Sequence, residues 1–120
     1  MIDGKIIAEQ LKNLGVKPSL DGYKYLKESV KRVHNDAKQI NNVVKGLYAD
    51  IADEFNTTNT RVERAMRHAV EVAWDSGAIE EHIRVFGNSV SMHRGRPTVK
   101  EFIATVAEYL HDTCDKAEAM

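Results

Sequence analysis

Cysteine is all but missing from this chain. Cys114 is the only one in 120 residues, so no internal disulfide can form, which fits a reducing, cytoplasmic setting. No uninterrupted apolar run approaches the length of a membrane span, and the N-terminus lacks the apolar core of a secretory signal. Net charge is nearly zero, with 17 basic residues against 18 acidic, so any surface that attracts a polyanion must be local. The glycines are isolated turn residues and form no phosphate-cradling loop. The five histidines do not make a metal set: Glu108 and His111 give a single Glu-x-x-His match, where a di-iron bundle needs two and further glutamates. Cys114 has no His–Asp arrangement near it in sequence. No metal, no cofactor and no enzyme activity is therefore expected.

What is present is ordinary in bulk: 42% apolar and 29% charged residues, enough for one core in a single domain over 1–120. The spacing predicts six helices and no sheet. Asp3 can cap a first helix with Ile7, Leu11 and Leu14 on one face, which Gly15 ends and Pro18 blocks. Tyr23, Leu26, Val30 and Val33 mark a second helix after Asp21. "HNDAKQINN" is polar and reads as a loop or a short irregular turn. A third helix carries Val44, Leu47, Tyr48, Ile51, Ala52 and Phe55. The fourth opens at Thr58 or Thr60, with Thr60 and Glu63 spaced as a capping box, and stops at Gly77. "AIEEHIRVFG" gives a fifth, and "NSVSMHRGRP" a loop with weak alternation at Val90 and Met92. Thr98 and Glu101 make a second capping box ahead of a final helix with Phe102, Ile103, Val106 and Leu110; the tail "DKAEAM" should fray. The fold class expected is an all-α, six-helix single domain.

The fourth helix, "RVERAMRHAVEVAW", separates its residues cleanly. At about 100° per residue, Val62, Ala65, Met66, Ala69, Val72 and Ala73 share one half-circle, and Thr60, Glu63, Arg64, Arg67, His68 and Glu71 share the other. Trp74 falls toward the polar side and should pack under a neighbouring helix. With the preceding "LYADIADEFNTT", the segment from about 43 to 74 fits a helix-turn-helix. Ala52 is small where the two helices cross, and Asn56 falls in a turn that needs a left-handed backbone. Ile51, Phe55, Val62 and Ala65 would form the shared core.

In that template Thr58, Asn59, Thr60, Glu63, Arg64 and Arg67 point to the major groove. The guanidinium forks of Arg64 and Arg67 match guanine O6 and N7, and Glu63 can accept from a cytosine amino group. A carboxylate between two arginines repels phosphate, so the trio suits base reading better than general adhesion to DNA. Thr57, Thr58, Asn59, Thr60 and His68 are candidates for the sugar–phosphate backbone. The "HRGRPTVK" segment adds Arg94, Arg96 and Lys100, with His93, in the densest basic patch of the chain; it precedes a helix start and could clamp a phosphate or enter the minor groove. The plainer reading of the fourth helix is a solvated face laced by i,i+4 pairs, Glu63–Arg67 among them.

"FNTTNTRVERAMRHAVEVAWDSG" closely resembles the effector domain of the stage-zero sporulation response regulators. The likeness extends to "GVKPSLDGYKYLKESV", "LYADIADEFNTT" and "FGNSVSMHRGRPTVKEFIATVA", from about Gly15 to about Leu110. The resemblance implies a six-helix fold, helix-turn-helix readout of a TGTCGAA-like element, binding as tandem copies on DNA, and contact with RNA polymerase. It also implies that the base-reading glutamate and two arginines are Glu63, Arg64 and Arg67. Ala49 replaces the family's usual proline, and the loop before the last helix reads "HRGRP" where the family typically has lysine. The family's full-length protein carries a phosphorylatable receiver domain. Nothing in this sequence supplies the α/β sheet and acidic pocket of one, so an excised effector domain and a free-standing relative both fit. The rival to DNA reading is a protein-interaction module that sequesters a full-length regulator without binding DNA.

Overall fold

The computed structural model describes residues 2–76, 78–87 and 95–119, the side chains of 114–119 excepted. Its six α-helices are α1 (Gly4–Asn13), α2 (Asp21–Asn35), α3 (Tyr48–Glu54), α4 (Asn59–Asp75), α5 (Ile79–Phe86) and α6 (Val99–Ala119). No strand occurs among the described residues. The expected all-α class holds. The Cα radius of gyration, 13.5 Å, is what about 120 residues give when packed as one body.

α2 is the central post. α4 and α6 both pack along it, α1 and α3 flank it, and α5 closes against α6. The periodic apolar residues meet here: Leu11, Leu26, Val30, Ile51, Val62, Met66, Phe102, Ile103 and Val106 are fully enclosed in one core. The α2–α4 crossing is close enough to require Gly22. A Cβ there would lie 2.1 Å from the Ala65 carbonyl oxygen and 2.7 Å from the Ala69 methyl. Ser29, also enclosed, spends its hydroxyl on the Tyr25 carbonyl at 2.7 Å, so the post buries no orphan polar group there.

α3 is fastened to α2 by charge. Arg32 reaches Glu28 at 3.0 Å on its own helix, and Glu54 at 2.9 Å and Asp50 at 3.9 Å on α3. Burial opposes the charge on Arg32, but the hydrogen bonds to Glu54 and Glu28 outweigh it and hold the guanidinium above its ordinary pKa. α1 is tied to α5 instead. Gln10 Nε2 donates to Glu81 at 2.7 Å, and His82 Nε2 lies 2.8 Å from the Leu14 carbonyl oxygen. His82 stacks on Trp74 at 3.9 Å, with Phe86 and Phe102 edge-on, so Trp74 does pack beneath its neighbours.

Four local expectations are corrected. Of the two readings of the polar "HNDAKQINN" run, the loop does not hold: α2 continues to Asn35, and Ala37–Asn42 forms a 3₁₀ stretch after the Asp36 cap. The third helix begins as a π-helical turn, Val43–Leu47, whose wider winding re-phases the apolar face, and Val44 ends 59% exposed. Thr58, not Thr60, caps α4, so Thr60 and Glu63 form no capping box. α6 continues through the tail to Ala119, where alanine, lysine and glutamate all favour helix and no glycine or proline intervenes. The other capping box forms as read: the Glu101 N–H donates to Thr98 Oγ1 at 3.1 Å, and the Thr98 N–H to Glu101 Oε1 at 3.4 Å.

Candidate nucleic-acid interface

The turn between α3 and α4 is set by one residue. Asn56 has φ of 55°, the only positive φ of a non-glycine among the described residues. That reversal lets the Thr57 N–H close on the Ala52 carbonyl at 2.8 Å. Thr58 then enters in extended geometry, and its Oγ1 accepts from the Arg61 N–H at 3.2 Å. Asn59 Nδ2 donates to the Val44 carbonyl at 2.9 Å, binding the first turn of α4 to the π-helical turn. The start of α4 is therefore held from both sides. Ala52 is buried at the crossing, with Ile51 and Val62 beneath it; Phe55 and Ala65 are half-buried, Phe55 edge-on to Tyr25 at 5.3 Å.

α4 turns Val62, Met66, Ala69, Val70 and Ala73 inward. Outward it shows Thr60, Arg61, Arg64, Arg67 and His68 exposed and Glu63 partly so. Arg67 Nη2 lies 2.9 Å from Glu63 Oε2 one turn back, the i,i+4 pair anticipated from spacing. Arg64 makes no ion pair with any described residue, so its fork is available as it stands.

The "HRGRPTVK" segment arrives beside this strip. Arg96 Nη2 approaches Glu71 Oε1 at 3.4 Å, and Pro97 is buried. Arg96 and Lys100, with Glu63, Arg67 and Glu71, line a cleft of about 550 Å³ between α4 and the start of α6. Two sequence-predicted groups, the α4 trio and the basic segment, thus share one surface. Arg94 and His93 lie outside the described residues. Thr58 and Asn59 have capping and bracing duties, though the Thr58 hydroxyl proton remains to be donated. Thr57, partly exposed, and Thr60 and His68, both exposed, stand around the same helix start and face.

Two participants were not singled out from sequence. Glu71 was placed on the polar half of the wheel, but its partner Arg96 is 25 residues away, and no local pattern reveals that. Tyr48 is buried under the cleft; its phenol is pushed up to about 12 by burial first and by the Glu63 carboxylate second. The apolar spacing that identified Tyr48 as core carried no hint of the charge above it.

What this surface can do is bounded by its charges. Glu63, Arg67, Glu71 and Arg96 form a strip of alternating sign, while Arg61, Arg64 and Lys100 supply net positive charge around it. No group of three or more His, Cys, Asp or Glu side chains able to hold a metal occurs among the described residues, nor any helix long and apolar enough to cross a membrane. A family model described as "Sporulation initiation factor Spo0A C terminal" matches residues 7–110, which takes in α2, α3, α4 and α5 whole, most of α1 and the first part of α6.

Proposed function

This chain belongs to the Spo0A C-terminal family, whose function is DNA binding in transcription regulation, and from that premise we propose that α3 and α4 work as a helix-turn-helix within one effector domain spanning 1–120. α4 enters the major groove of a TGTCGAA-like element. Glu63, Arg64 and Arg67 read bases: the arginines pair with guanine, and Glu63 accepts from a cytosine amino group. Thr57, Thr58, Asn59, Thr60, His68, Arg94, Arg96 and Lys100 fix the register on the sugar–phosphate backbone. The domain works in the cytoplasm, binds as tandem copies and contacts RNA polymerase, as its family likeness implies.

The observation that carries this reading is the exposed trio on a helix whose start is held in place. α4 is 17 residues long, and Asn56, Thr58 and the Asn59–Val44 bond fix where it begins. The trio is therefore presented in one geometry, which is what base readout needs. The Glu63–Arg67 pair supports the same role. It orients both side chains before binding, and a carboxylate there discourages loose attachment to phosphates.

Binding curves on a TGTCGAA duplex and a scrambled one, at several salt concentrations, test the reading. Arg64→Ala should cost about 1–3 kcal/mol on the TGTCGAA duplex and little on the scrambled one. Equal losses on both would remove Arg64 from base reading. No binding of the native chain to either would favour a module that sequesters a full-length regulator.

A further inference from the structure

Away from the α4–α6 cleft, α2 carries a second concentration of positive charge. Lys24, Lys27 and Lys31 line a cleft of about 330 Å³ between α2, the beginning of α1 and Phe55. The acid on its wall, Glu28, is occupied by Arg32 at 3.0 Å. Lys24 has Asp21 only at 4.0 Å, with both side chains mostly in water, and sits 5.7 Å from the centre of the Phe55 ring. Lys27 and Lys31 are half-buried and make no ion pair with any described residue.

Lys27 also approaches the start of α1. Its ammonium lies 3.7 Å from where a Cβ on Gly4 would stand, and Gly4 is the first helical residue of α1. The beginning of a helix carries partial positive charge. The Asp3 carboxylate at that end caps the Lys5 N–H at 2.9 Å and is exposed to solvent. Lys27 thus stands beside a positive helix end and two further lysines with no carboxylate paired to it, and a bound oxyanion would meet all of these charges at once.

We propose that Lys24, Lys27 and Lys31, converging on the cleft between α2 and the beginning of α1, form a phosphate-binding site distinct from the α4–α6 surface. The ligand is a phosphate group held by three ammoniums as point charges, without the bidentate geometry that guanidinium would impose. Two sources present that chemistry. One is a backbone phosphate of the same DNA: Phe55 forms one wall of the cleft and directly precedes the Asn56–Thr58 turn, so a strand passing the start of α4 lies close by. The other is a free phosphate or phosphorylated small molecule.

The double variant Lys27→Met/Lys31→Met tests the site on the full chain. Inorganic phosphate, compared with chloride at equal ionic strength, should raise the Tm of the native chain and leave that of the double variant unmoved. In chloride the variant should melt at or above the native temperature, because its mutual repulsion is gone; this also establishes that it folds. If DNA supplies the phosphate, the salt dependence of binding becomes shallower by up to about 1.8 in log–log slope for two lost contacts, equally on TGTCGAA and scrambled duplexes. If a free phosphate is the ligand, that slope stays put while the Tm response disappears. The site is overturned if phosphate shifts native and variant alike and the DNA slope does not change. The Tm measurement involves no DNA, so the α4 reading and this site can fail separately.

Discussion

The molecule has two cationic surfaces, and they treat their charges in opposite ways. In the α4–α6 cleft, Arg67 is paired with Glu63 at 2.9 Å and Arg96 with Glu71 at 3.4 Å. On the α2 ridge, Lys27 and Lys31 make no ion pair with any described residue, and Glu28, on the wall of the same cleft, is committed to Arg32. Pairing lowers the attraction of a surface for any polyanion but keeps its forks aligned, so the partner must offer something better than a carboxylate. Unpaired ammoniums do the reverse: they attract every phosphate and discriminate poorly. On the proposed reading, the paired surface would supply selectivity and the unpaired one a sequence-independent attraction for phosphate.

The strongest way to break this comparison is to alter the joint between the helices that carry the two surfaces. Gly22→Ala would place a methyl 2.1 Å from a backbone oxygen of α4, and backbone cannot swing aside as a side chain would. α2 and α4 must separate, at a cost of about 3 kcal/mol or more in chemical denaturation. DNA binding should fall with it, on matched and scrambled duplexes alike. A variant that kept native stability would show that the crossing is looser than these distances allow.

Tyr48 offers a sharper probe, because it lies buried under the paired surface. Its folded pKa, about 12, is above the ordinary value of 10. The folded state therefore holds the phenolic proton more tightly than the unfolded chain does. That contribution is complete below pH 10 and is lost as pH rises from 10 toward 12, by about 2 kcal/mol. Lysines titrate in the same range, so the measurement is the difference between native and Tyr48→Phe stability curves. The difference should change through that window and be flat below it. Because burial is the larger cause and Glu63 the smaller, Glu63→Gln should reduce the effect without abolishing it. A flat difference throughout would mean that the phenol is hydrated in the folded protein.

Much of this was legible in the sequence, for reasons that separate local from distant interactions. Helix number and faces follow from periodicity, and Asn56 from the need for a left-handed residue between two amphipathic runs. Thr98 and Glu101 form their box because both partners lie within one turn. Thr60 and Glu63 have the same spacing and form none, because Thr58 already meets the chain where it leaves the Asn56 turn in extended geometry. Val44 was misplaced because a π-helical turn shifts the phase of a wheel drawn at α-helical pitch. The tie from Arg96 to Glu71, the role of Gly22 and the uncompensated state of Lys27 depend on which helices become neighbours, and no periodicity encodes that.

The smallest expected effect bears most directly on the paired surface. Glu71 and Arg96 are about 37% and 49% exposed, so Glu71→Gln should change stability by no more than about 1 kcal/mol. Its effect on DNA has a defined sign. The substitution removes a charge that repels phosphate and releases Arg96 to engage one. Binding should tighten on both duplexes, and the salt slope should steepen by about 0.9. The gain should be at least as large on scrambled DNA, because phosphate attraction is blind to sequence, so the ratio between the duplexes should not rise. Weaker binding on both would give Glu71 a different part, that of holding Arg96 in its working position, and the pairing would then serve affinity as well as selectivity.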